Sequence, residues 1–81
     1  MKELINLVEA LNEVLKQKEN EVFTREDTNS YTLGHLNNRK NDIQIFADSI
    51  QAASKDPFFK KEIILNFTNI ANEIEKEIDL I

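Results

Sequence analysis

The stretch NSYTLGHLNNRKN, residues 29–41, holds the side chains best suited to chemistry in this chain. It contains the only Tyr (Tyr31), the only Gly (Gly34) and the only His (His35), and the basic pair Arg39–Lys40 follows. Such a set suits an anion. Arg39 can hold a phosphate or carboxylate through two parallel N–H bonds. Gly34 permits close backbone approach, and Tyr31 and His35 can pack on a base or ring. A helix beginning here would add free backbone N–H groups and the positive end of its dipole.

Other chemistries find less footing. There is no Gly-rich phosphate loop, no HExxH and no nucleophile motif. The serines are Ser30, Ser49 and Ser54, and none lies at a sharp elbow that would pair it with His35 as a nucleophile. No catalytic residue is assigned, and an enzyme is not expected. Without Cys there is no disulfide or thiolate zinc site. One His and no carboxylates at ligand spacing argue against a metal, and no cofactor is expected. The glycosylation pattern NFT at 66–68 falls in the middle of an expected helix and reads as a chance match.

The chain that must position these residues has 81 residues, room for one domain and one core. A core this small rarely supplies more than ~3–5 kcal/mol. One Gly and one Pro are too few for a turn-rich sheet protein, whereas helix formers abound. No apolar run reaches the ~18 residues of a membrane span. Glu3 and Glu9 interrupt any secretory signal, so a cytoplasmic protein is expected. A net charge of −5 disfavours binding to duplex nucleic acid. Asn and Ile occur ten times each, a skew common in AT-rich genomes, including those of phage.

Periodicity sets out three helices. Leu4, Val8, Leu11, Leu15, Lys18 and Val22 form a stripe broken only by Lys18, which predicts a helix over 2–22, about 30 Å long. Residues 23–32 lack a period and read as a loop, in which Thr24 and Asp27 suit a short capped turn. Leu36, Ile43 and Ile50 recur every seven residues, predicting a helix over 33–54. Asp56 then reads as an N-cap and Pro57 as the first residue of a helix over 57–80. So short a link makes neighbouring helices antiparallel. The expected fold is all-α: a single domain over 1–81, folded as an up-down-up three-helix bundle.

In that bundle Arg39 lies about 60° to one side of Leu36 and Lys40 about 40° to the other. With Lys18 they should collect at one end, beside Glu77. Two expectations compete there: an ion-pair cluster in which Glu77 satisfies Lys18 or Arg39, and an anion site built from Lys18, Tyr31, Gly34, His35, Arg39 and Lys40. Glu73, Glu75, Glu77 and Asp79 make the end of helix three acidic, unfavourable to its dipole unless cations meet them.

Helices one and three carry apolar stripes wider than one core requires. Phe59 widens the stripe of helix three. Ile5, Leu7, Val14, Ile64, Ala71 and Ile78 are assigned to a second, buried surface, and a homo-oligomer is expected. The leading expectation is thus a helical protein–protein interaction module of adaptor or inhibitor type. The alternative is an oligomeric binder of a nucleotide or other phosphate-bearing small molecule.

Overall fold

The structure, a computed structural model, describes residues 2–26, 28–58 and 61–81. Most of them lie in three α-helices: α1 (Lys2–Phe23), α2 (Ser30–Ala53) and α3 (Lys61–Asp79). Among the described residues there is no strand, and no helix is long and apolar enough to cross a membrane. Each helix packs against both others.

The helix ends show how short side chains divide the chain. At the end of α1 the last carbonyls need donors. The Thr24 hydroxyl donates to Glu21 O at 2.7 Å, Arg25 N–H donates to Val22 O at 3.0 Å, and the Thr28 hydroxyl also reaches Val22 O. The aperiodic stretch is therefore bonded back onto the helix it follows. Asp27 lies outside the described residues.

α2 begins at Ser30, earlier than the apolar period places it. The cause is Asn29, an extended residue (φ −134°, ψ 177°) whose Oδ1 accepts the Thr32 N–H at 3.0 Å. Leu33 N–H donates to Asn29 O at 3.1 Å, the first bond of the helix. Asn is among the strongest N-caps, and its cap outweighs the poor helix propensity of Ser-Tyr-Thr.

α2 ends at Ala53, and Asp56 Oδ1 accepts the Phe58 N–H at 2.8 Å. That is the bond expected of a capping Asp, yet Pro57 and Phe58 form a turn, and α3 is described from Lys61. Phe59 lies outside the described residues.

The core draws on all three helices: Leu4, Leu11, Leu15 and Val22; Leu36, Ile43, Phe46 and Ile50; Ala71, Ile74 and Ile78. The seven-residue spacing of Leu36, Ile43 and Ile50 puts them on one face. Phe46 meets Phe67 of α3 edge to face, with ring centroids 5.7 Å apart, a geometry favoured by the aromatic quadrupole.

The residues assigned to a second surface divide. Ala71 and Ile78 lie inside this single-chain core, 3 % and 0 % exposed, which corrects their assignment to an interface. Leu7, Val14 and Ile64 pack against the core, half-buried. Of the six, only Ile5 is well exposed. Most of the width of these stripes is covered within one chain because α1 and α3 each pack against two neighbours, while Ile5 and Ile70 stay exposed.

Candidate functional site

The basic residues near the start of α2 arise from two helices whose apolar periods leave them at the margin of the core. Arg39 stands one turn from Leu36 and from Ile43, and its side chain is 17 % exposed. A guanidinium so covered requires partners. It has two: Nε donates to Asp42 Oδ2 at 2.8 Å, and Nη1 lies 3.0 Å from Glu77 Oε2 of α3. Glu77, itself more than half exposed, thus meets a cation from another helix at the edge of the core, one of the pairings the ion-pair expectation offered.

Lys18 lies largely covered on α1, its stem buried and its ammonium 3.5 Å from Glu21 Oε2. A long stem laid along apolar surface with its head at the edge explains how a Lys occupies a core stripe. Lys40 is more exposed and meets Glu19 of α1 at 3.3 Å. Each of the three expected cations is therefore matched within the chain.

They do not share one pocket. A groove of about 480 Å³ is lined by Tyr31, Thr32, His35, Arg39, Glu77, Leu80 and Ile81. Tyr31 and His35 sit there edge to face, centroids 4.4 Å apart. Lys40 lines a different groove, between α1 and α2, with Lys16 and Glu19. Lys18 and Gly34 line neither.

Gly34 also has no need to be glycine. It lies within α2 with negative φ, and a Cβ built on it meets nothing within 4 Å. Gly34→Ala is expected to stabilise the protein by about 0.5–1 kcal/mol, as Ala for Gly does in a helix interior. Urea unfolding measures it, and a loss of stability would show that something approaches the backbone there.

Arg25 escapes the periodicity argument because it lies where there is no period. Its Nη1 donates to Ile81 O at 3.0 Å and its Nη2 pairs with Glu21. It therefore ties the segment after α1 to the end of α3. The signal available in the sequence was its i,i+4 spacing from Glu21.

The Arg25 hydrogen bond, followed by the Lys18 charge, holds the Glu21 carboxyl below its ordinary value of 4.5. A carboxyl depressed on folding contributes stability above its unfolded value, and that contribution fades as pH falls through the folded one. Glu21→Gln should therefore cost stability at neutral pH and nothing once the pH is well below 4.5. Urea midpoints of both proteins across that range should converge on the acid side.

Between α2 and α3 a second kind of surface lies open. Ile45, Phe46, Ser49, Phe67, Ile70, Ile74 and Asp42 line a cavity of about 270 Å³. It adjoins another lined by Asp42, Asn69, Ile70, Glu73, Ile74 and Glu77. Ile45 is 64 % and Ile70 46 % exposed. Comparison with protein-family models, curated proteins and solved structures finds no match to this chain. The class these observations define is an all-α domain of three packed helices, with an ion-paired end and an apolar groove on one side.

Proposed function

We propose that this protein is a cytoplasmic, non-catalytic protein–protein interaction module, an antiparallel up-down-up bundle that receives a partner helix between α2 and α3. Three contacts support the antiparallel order: Lys40 with Glu19, Arg39 with Glu77, and Phe46 with Phe67. In the last two, α3 numbering runs down as α2 numbering runs up. The single observation carrying the functional reading is the open pair of isoleucines, Ile45 and Ile70, over the half-buried Phe67. Apolar side chains flanking a groove between two helices form the surface on which an amphipathic helix docks.

An anion site near the start of α2 has weaker support. Arg39, the one Lys or Arg among the described residues lining its groove, already faces two carboxylates, and the Thr32 N–H is taken by Asn29. Support for self-association has also narrowed, because Ala71 and Ile78 are used in the core and Ile5 is the well-exposed member of that set.

The test is a methyl NMR titration with a neutral helical peptide carrying Leu at i, i+3, i+4 and i+7 and Gln elsewhere. The expected result is shifts confined to Ile45, Ile70 and Ile74. Shifts scattered over all three helices, or none at millimolar peptide, would refute the reading. Light scattering at tens of micromolar should give the monomer mass; a dimer would instead support self-association.

A further inference from the structure

We infer that the helix received between α2 and α3 is cationic and amphipathic and belongs to another protein rather than to a second copy of this chain. The inference rests on the docking reading above and adds the chemistry of the occupant.

The rim of the groove carries the argument. The two adjoining cavities share Asp42, Ile70 and Ile74, so they form one trough. Along α3 it runs from Phe67 to Glu77, about 15 Å at the helical rise. Its floor is Phe46, Phe67 and Ile74, and Ile45 and Ile70 stand on its two sides. Carboxylates flank this apolar strip on both helices. Asp42, Glu73 and Glu77 line it, and among the described residues no Lys or Arg does. Asp48, three residues from Ile45 and thus its neighbour on the helix surface, accepts a bond from Gln44 at 3.0 Å.

Among the described residues, Arg39 and Lys76 pair with the carboxylates of this rim. Arg39 closes one end, bound to Asp42 and Glu77. Lys76 meets Glu73 at 3.4 Å with both side chains 72 % exposed, so water screens the pair and an incoming cation can replace it. The rim is therefore acidic, and an apolar helix face bordered by Lys or Arg complements both its shape and its sign.

A second copy does not offer that face. α1 carries five carboxylates against three lysines. In α2 two acids balance Arg39 and Lys40. α3 carries five carboxylates against two lysines. Each helix of a second copy would bring neutral or like charge to the rim. An anionic membrane surface is disfavoured by the same sign.

The experiment compares three peptides of about 15 residues, long enough to span the trough. They share one Leu pattern and carry Lys, Gln or Glu at the remaining positions. A fourth has the Lys composition with the Leu pattern scrambled. Binding is followed by fluorescence anisotropy and by the Ile methyl signals. The patterned Lys peptide should bind at least about tenfold tighter than its Gln counterpart, and the advantage should shrink as salt is raised. Ile45→Gln with Ile70→Gln should weaken it about tenfold or more without changing the circular dichroism, both side chains being exposed. Glu73→Lys should weaken the Lys peptide and leave the Gln peptide unchanged. Equal binding of the Gln and Lys peptides overturns this inference while the docking reading stands. Equal binding of the scrambled peptide, or indifference to the Ile45/Ile70 change, overturns it as well, because attraction would then be general. Failure of every patterned peptide overturns both.

Discussion

Ile78→Ala is expected to leave most molecules unfolded under conditions where the parent protein is folded. Ile78 is 0 % exposed and lies in the cluster joining all three helices. Truncating a fully buried Ile costs about 2–5 kcal/mol, the lost transfer energy plus the cavity left behind. A core of this size supplies only ~3–5 kcal/mol in total. Far-UV circular dichroism and urea unfolding read the effect. Leu65→Ala is the control: Leu65 is 61 % exposed, and its loss should change stability by no more than about 0.5 kcal/mol. Equal effects of the two changes would mean that the helices do not pack as described.

Asn29→Ala should cost about 1 kcal/mol, within the 0.5–2 kcal/mol typical of a lost N-cap. Its Oδ1 holds the Thr32 N–H, and without it the first turn of α2 frays. Asn29→Gly should cost only a few tenths, because Gly is itself an acceptable cap. Ser30→Ala should be nearly silent, since the cap is one residue earlier. Fraying has a local consequence too: Tyr31 and His35, which meet edge to face within that first stretch, would lose their fixed relation. Amide exchange at Leu33 and Gly34 would report it.

The all-α class was legible because Leu36, Ile43 and Ile50 keep their period, and each is buried. The ion pair of Arg39 with Glu77 was legible for a related reason: both residues interrupt apolar stripes, and Arg39, the covered one of the two, requires a partner. Asn29 was harder to see. Three consecutive residues of low helix propensity follow it, and propensity alone places them in a loop until a cap supplies the missing bonds. Arg25 lies where no period exists, so only tertiary structure reveals its bond to Ile81 O. Ala71 and Ile78 were misassigned for a geometric reason. Their stripe is wider than the ~100° face that packs one core, but α3 packs against both other helices and covers the extra width there. Gly34 misled because rarity was taken as need; the space around it is empty.

The backbone extends 50 × 16 × 15 Å, roughly three times as long as it is wide. Such a rod drags more in solution than a ball of equal mass. It will leave a sizing column early and imitate a larger particle, so elution volume by itself would lend a lone subunit the look of a pair. Its rotation is also uneven, slow end over end and quick about the long axis. Amides pointing along the rod and amides pointing across it should therefore relax at different rates, a signature that two such rods joined side by side would blunt.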